Sequence, residues 1–265
     1  MVFDESPLLI PMRCIILFVL LFFTYLGVAD EIPSPSYILK TVGKVDRVVF
    51  YDSGKIETNN LVVGSTYQTK DAQLDYLTGT NSTLVLSLAD DVVLGIEENS
   101  ELKIHTSTVD IKQVSIPTKA SFTNKNHVMS LMNGVVDIIN ISTNGTVLLQ
   151  TPRVTIVVRQ GKFRIIVQGK TTIVAAVEGA AVLQKLVDAK SGLVESGKFA
   201  HVTTYYSLSN KGMDLANNGK ATASIGTIEL DDVKKMSDSF NEIVKLHDSF
   251  IYIVDGGKIL GVKIR

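Results

Sequence analysis

The stretch from Thr151 to Val182, TPRVTIVVRQGKFRIIVQGKTTIVAAVEGAAV, limits the folds open to this chain more than any other part of it. Val, Ile and Thr dominate its short apolar segments, and side chains branched at Cβ suit a pleated, half-buried surface better than a helix. Pro152 cannot donate to a strand ladder and is expected at a strand start, while Gly161, Gly169 and Gly179 fall where the chain must turn. The reading is a series of separate strands, Val154 to Arg159, Phe163 to Gln168, Thr172 to Val177 and Ala181 to Val187. No residue in the stretch offers obvious chemistry, so it reads as architecture.

The same pattern extends on both sides. Strands are expected at Gly43 to Tyr51, Lys55 to Val63, Thr83 to Leu88, Val92 to Ile96, Glu101 to His105 and Val109 to Ile116. Others follow at Val128 to Met132, Val135 to Ile141, Thr146 to Gln150 and Ala200 to Tyr205. Glu31 to Tyr37, with Pro33 and Pro35, reads as an extended lead-in to the folded part. Leu84, Leu86 and Leu88 alternate with Thr83, Val85 and Ser87, which predicts a hairpin across Asp90-Asp91 with one buried face. Strands spaced by about 8 to 12 residues favour a sandwich, barrel or stacked β architecture over a helix-covered parallel sheet. A composition that is 45% apolar supplies the core such layers need.

Beyond the strands the pattern changes. Residues 206–222, rich in Asn and Gly, read as a linker or long loop. Val233, Met236, Phe240, Ile243 and His247 then recur at helical spacing behind Asp231 and Asp232, which predicts a helix from about Asp231 to Asp248. Asp255-Gly256-Gly257 between two apolar runs predicts a hairpin. The fold class is therefore mainly β, with stacked, solenoid-like or sandwich strands, a C-terminal α-helix and a β-hairpin. The β domain is expected over residues 38–205, with a strand, helix and hairpin in 223–265.

Arg13, the apolar run Ile15 to Leu26 and the small residues Gly27, Val28 and Ala29 have the layout of a secretory signal peptide over residues 1–29. Cleavage is expected after Ala29, and Met12 is the expected start of translation. The apolar run is shorter than a membrane span needs, so contact with the membrane is expected through the signal sequence alone. The chain is expected to be exported, to a periplasm or cell surface. The single cysteine, Cys14, lies inside this segment, which leaves the mature chain without a disulfide. A formal net charge of −1 gives no reason to expect nucleic acid as a partner.

Candidate chemistry is sparse. Gly169-Lys170-Thr171 lacks the glycine five positions earlier that a phosphate-binding loop requires, because Arg164 stands there. His105, His127, His201 and His247 have no metal-ligand spacing. The carboxylate pairs Asp90-Asp91, Glu97-Glu98 and Asp231-Asp232 are adjacent in sequence, so in a strand each pair points to opposite faces, and turn or helix-start roles suit them better. No catalytic, cofactor or metal site is expected. Arg153, Arg159 and Arg164, with Lys162 and Lys170, concentrate positive charge. Arg153 and Arg159 share a face if the strand is unbroken, and a solvated face and a ligand face for acidic polysaccharide are both open readings.

An ordered series of motifs resembles the FecR-like domain of bacterial envelope proteins. Tyr76-Leu77-Thr78-Gly79 is similar to the family's TG turn, and Thr83 to Leu88 followed by Ile96 to Ile104 is similar to its leucine strand and N-S-E-L segment. Leu131 to Val136 resembles an L-x-x-G-x-V strand, and Thr151-Pro152 the threonine-proline step. Val158 to Phe163 stands where the family has V-R-G-T-x-F, Val177 to Val182 where it has V-x-E-G-x-V, and Glu195 to Lys198, with Gly197, where a closing turn falls. In VRQGKF the glycine comes one place late and Lys162 follows it where the family prefers an acidic residue.

The resemblance marks Thr151, Pro152, Gly161, Phe163, Glu178, Gly179 and Gly197 as structural motif residues and implies a β module that is not an enzyme. The family's best-known members sense an occupied outer-membrane transporter and relay this to a cytoplasmic sigma factor. The segment ahead of the apolar run is too short for a folded sigma-binding domain, so a direct anti-sigma role is not expected. The expected function is an exported sensory, scaffolding or protein-interaction module with an envelope protein as partner. The alternative is a protein that binds cell-surface polysaccharide through Arg153 and Arg159.

Overall fold

The computed structural model describes residues 31–33, 35–68, 72–88, 92–112, 121–143, 145–184, 192–205, 220–255 and 258–264. The signal segment, Asp90-Asp91, residues 206–219 and Gly256-Gly257 lie outside them. Glu31–Arg265 form one compact unit.

Strands follow one another as β1 (Glu31–Pro33), β2 (Pro35–Val42), β3 (Val45–Tyr51), β4 (Ile56–Asn60), β5 (Thr66–Gln68) and β6 (Ala72–Thr78). Next come β7 (Thr83–Leu88), β8 (Val92–Ile96), β9 (Glu101–Lys112), β10 (Ser121–Asn140), β11 (Thr146–Gln150), β12 (Thr155–Gln168) and β13 (Thr171–Gln184). β14 (Leu193–Glu195), β15 (Lys198–Tyr205), β16 (Lys220–Thr227), the helix α1 (Leu230–Asp248), β17 (Phe250–Asp255) and β18 (Lys258–Ile264) complete the order. β1 to β16 are joined by hydrogen bonds into one sheet, and β17 and β18 pair as a separate hairpin. The fold is mainly β with a C-terminal helix, as the sequence implies.

The large sheet is folded into two layers because its longest strands change partners midway. β10 pairs with β9 and β11 through its first half and with β8 and β12 through its second. β12 passes from β11 to β10, and β13 passes from β15 to β14. The first layer therefore runs β16-β15-β13-β12-β10-β8-β7-β2-β5, and the second runs β14-β13-β12-β11-β10-β9-β6-β3-β4. Inward residues of both layers, such as Ile38, Leu86, Ile138 and Ile165 from the first and Leu74, Ile104, Leu149 and Ile156 from the second, form one buried cluster.

Four expected breaks are absent: β9 is continuous from Glu101 to Lys112 where separate strands, Glu101 to His105 and Val109 to Ile116, are expected, and three other breaks are bends instead. The segments expected as separate strands on either side of Gly134, Gly161 and Gly179 are continuous in β10, β12 and β13. Gly169 alone of the glycines in the opening stretch lies in a true turn, between β12 and β13. The reason is local: Gly161 and Gly179 face each other across the ladder beside a register shift. A Cβ on Gly161 would come within 2.9 Å of the Glu178 carbonyl carbon, and one on Gly179 within 3.1 Å of Gly161 Cα. Gly179 also has φ +85°, which L side chains rarely adopt. The pair lets both backbones bend at one point without breaking the sheet.

The fold line is stitched by small polar residues. Ser100 Oγ accepts from the Val135 amide at 2.9 Å, Thr78 Oγ1 accepts from the Ser100 amide at 2.9 Å, and Ser82 Oγ accepts from the Lys44 amide at 2.9 Å. These bonds occupy backbone donors that lose their ladder partners where strands leave one layer for the other.

Two further corrections concern burial. The β7–β8 hairpin is buried on both faces, because α1 covers its outer side: Val85 and Val93 pack with Met236, Phe240 and Ile243 of the helix. The segment read as a lead-in is paired throughout its described residues: Glu31–Pro33 is β1 against β9, and from Pro35 the chain enters the first layer as β2, between β5 and β7, with Tyr37 fully buried. α1 begins at Leu230 and ends at Asp248, with Asp231 and Asp232 in its first turn and Lys245 and His247 in its last, an order that suits the helix dipole. Among the described residues no helix is long and apolar enough to cross a membrane.

Candidate functional site

A concavity lies where α1 crosses the fold line of the first layer. It is a cleft of about 510 Å³. Leu84, Val85, Ile96 and Ile243 give it an apolar floor, and Glu97, Glu98, Asp137, Ser239 and Glu242 give it polar walls. Gly95 keeps it open to the helix, since a Cβ there would lie 2.7 Å from Ile243 Cδ1.

One ion cluster sits in its wall. Asp137 is 1% exposed in the middle of the apolar run of β10, and it directly faces Arg164 of β12 in the ladder. Arg164 donates to both Asp137 oxygens, from Nε at 2.7 Å and from a terminal nitrogen at 2.7 Å, and to Glu97 at 2.8 Å. Ser239 of α1 donates to Asp137 Oδ2 at 3.5 Å. The bidentate geometry satisfies the buried carboxylate, as a charge taken out of water requires. Hydrogen bonding to Asp137 raises the Arg164 guanidinium above its ordinary value. Burial pushes the Glu97 carboxyl up; Arg164 opposes this, while Asp137 and Glu98 add to it. Glu98 accepts from the Asn81 amide at 2.6 Å. Acidic walls over an apolar floor can receive a side chain with an apolar stem and a basic tip.

The basic stretch divides on folding. Arg164 is taken by Asp137 and Glu97, and Lys162 pairs with Glu178 directly opposite it at 3.0 Å. That ion pair supplies the carboxylate that the sequence lacks beside Gly161. Arg159 is exposed in β12, whereas Arg153 lies in the bend before the strand begins at Thr155, so no unbroken strand carries both. Thr151 closes that bend, its hydroxyl donating to the Val154 carbonyl at 2.9 Å and accepting from the Val154 amide at 3.1 Å, with Pro152 exposed between them. Phe163 is fully buried beneath the Gly161–Gly179 pair. Gly197 occupies the turn between β14 and β15, its amide donating to the Ala176 carbonyl at 2.7 Å.

A serine–histidine contact occurs elsewhere. His105 reaches Ser130 Oγ through Nε2 at 2.7 Å and Gln73 Oε1 through Nδ1 at 3.1 Å. Gln73 in turn donates to Asp75 Oδ1 at 2.7 Å, and Asp75 meets Lys103 at 3.1 Å. These residues cross the outer face of the second layer on β6, β9 and β10. At Ser130 β10 is flanked by β9 and β11, so its backbone donors are spent in the ladder and none is left to hold an oxyanion. The network satisfies a polar sheet face. Among the described residues no group of His, Cys, Asp and Glu has the arrangement of a metal site.

Asp137 was not legible as a functional residue from chain order alone. Its signal is a lone carboxylate in the apolar strand VVDIIN, which needs a buried cation, and Arg164 could be matched to it only through the pairing of β10 with β12.

Residues 75–182, spanning nearly all of β6 to β13, match the family of FecR proteins. No curated protein matches the sequence. Among solved structures, the chain is similar to a candidate anti-sigma factor from Parabacteroides distasonis, determined at 2.50 Å resolution, with 10% identity and a TM-score of 0.39 over 61% of this chain and 63% of that one. A second candidate anti-sigma factor from the same organism, at 1.65 Å, gives 9% identity and a TM-score of 0.38 over 66% of this chain and 75% of the other. The chain thus spans less than two thirds of the first of these relatives.

Proposed function

We propose that this chain, which carries a FecR-like module at its centre, acts in the cell envelope as an exported, non-enzymatic sensory, scaffolding or protein-interaction domain. The observation that supports the reading is how the polar groups of the module are used. Arg164 is shared between Asp137 and Glu97 in the wall of an open cleft, and the serine–histidine contact is absorbed in a sheet-face network. A module of this kind works through surfaces, by offering a cleft, a sheet face or an edge to another protein. The alternative, binding of acidic cell-surface polysaccharide, has less support because Arg153 and Arg159, the residues behind it, do not share an unbroken strand.

The test is fractionation and cross-linked co-purification of the full chain from its native envelope. Processing after Ala29, recovery in the exported fraction and a stable envelope protein partner are the expected results. A chain that stays unprocessed in the cytoplasm overturns export. Retention on acidic polysaccharide that disappears when Arg153 and Arg159 are both replaced would favour the alternative.

A further inference from the structure

The two layers differ in what covers them. The outer face of the first is roofed by α1, which buries Val85, Val93 and Ile139. The outer face of the second carries a comparable apolar row in the open. Leu148 of β11 faces Val157 of β12, Val157 faces Val182 of β13, and Val182 faces Leu193 of β14. Register therefore aligns these side chains directly across neighbouring strands, in a line about 14 Å long at the usual strand spacing. Val182 is 41% exposed and Leu193 49%, with Leu148 and Val157 half-buried. Isolated exposed apolar residues need no explanation, but a contiguous row rimmed by polar groups marks an interaction surface.

The rim says what kind of partner fits. In chain order Arg153, in the bend before β12, and Arg159, within β12, stand on either side of Val157. Neither forms an ion pair among the described residues, and Arg153 Nε is buried without a hydrogen-bond partner. Among the described residues Glu195 is the acidic residue at the row's border, two positions beyond Leu193 in β14. A second copy of the chain seated on the same face would bring the same two arginines against them. Two guanidiniums without counter-charge, on either side of Val157 in chain order, call for an acidic border on whatever covers the row.

We infer that the outer face of the second layer is a docking surface for a protein segment that is apolar along one side and bordered by Asp or Glu. The inference rests on the reading of the chain as an interaction module and names the surface and the chemistry of its partner. The row takes the apolar side chains of the segment, and Arg153 and Arg159 take its carboxylates. Orientation comes from the arginines and affinity from the row.

Selection from a displayed random peptide library against the full chain tests this. Enriched peptides are expected to carry apolar residues bordered by acidic ones, and Val182→Lys with Leu193→Lys is expected to weaken them by at least about tenfold, as loss of a central apolar contact does. Arg159→Glu, at an exposed site, is expected to turn the preference from acidic to basic borders. That inversion decides the matter even if lysines in the row disturb folding, which melting curves would reveal. The surface is overturned if no peptide is enriched, or if enriched peptides ignore these substitutions. It is also overturned if Glu242→Lys in the α1 cleft releases the peptides instead, a result that would leave the interaction-module reading standing. Binding of acidic polysaccharide or phosphatidylglycerol vesicles through the same residues, with no peptide enriched, would replace the protein partner with another class of ligand.

Discussion

A buried carboxylate is tolerated only when its charge is met, and Asp137 meets it through one guanidinium. Replacing Asp137 by Ala strands Arg164 in the wall of the cleft with Glu97 alone. The expected cost is about 3 kcal/mol, read as a lowered urea midpoint with an unchanged slope, and a loss below 1 kcal/mol would show that Arg164 relaxes into water. Glu97 behaves in the opposite sense. Its carboxyl lies above the ordinary range in the folded protein, so folding favours the protonated form there. Its ionisation therefore costs stability once the pH rises above the unfolded value, and that cost disappears as the pH falls below it. Because the side chain is 42% exposed, solvent screening keeps the effect small. Glu97→Gln is expected to raise the melting temperature slightly at pH 7, with the gain shrinking toward zero near pH 4. A gain that grows on acidification would contradict the assignment. Neither residue stood out in chain order, since Glu97 read as half of a turn pair and Asp137 as one polar residue in a strand.

At the scale of elements, the bends in the long strands set the architecture. β10, β12 and β13 each belong to both layers, so a defect at one bend disturbs two sheets at once. Gly179 tests this. Val at that position combines a left-handed backbone with a side chain driven into the Gln160 carbonyl, and the expected loss is above about 3 kcal/mol. Gly197 provides the control, because its φ is +75° but nothing lies within 4 Å of an added Cβ. Gly197→Ala should cost only the backbone term, about 1 kcal/mol. Equal melting temperatures for the two variants would mean that close approach at the bend has no energetic weight. The positions of these glycines were evident in the sequence, and their role was not. A glycine between two apolar runs marks a turn or a bend equally well, and the choice depends on whether the runs on either side share a partner.

At the scale of the molecule, one helix decides which sheet face is closed. Met236, Phe240 and Ile243 seal the first layer over Tyr37, Val93 and Ile139, while the second layer keeps its apolar row in solvent. A chain ending at Thr227 should retain its β signal in circular dichroism and bind a hydrophobic dye, because the outer face of the first layer would be uncovered. Loss of all β signal would mean that α1 is needed for the layers to form. The sequence by itself determined the secondary structure class, the exact limits of β7, β8 and β11, the helix, the C-terminal hairpin and the order of the FecR-like motifs. These are legible because side-chain period, turn residues and motif spacing are local properties. Only the tertiary structure decided that strands thought separate are continuous, that the β7–β8 hairpin is buried twice over, and that Arg164 belongs to Asp137 and Glu97 rather than to a basic face. It also aligned Leu148, Val157, Val182 and Leu193 into one row. Each of these depends on which strands lie side by side and in what register, and in a sheet folded through shared strands that pairing joins residues far apart in the chain.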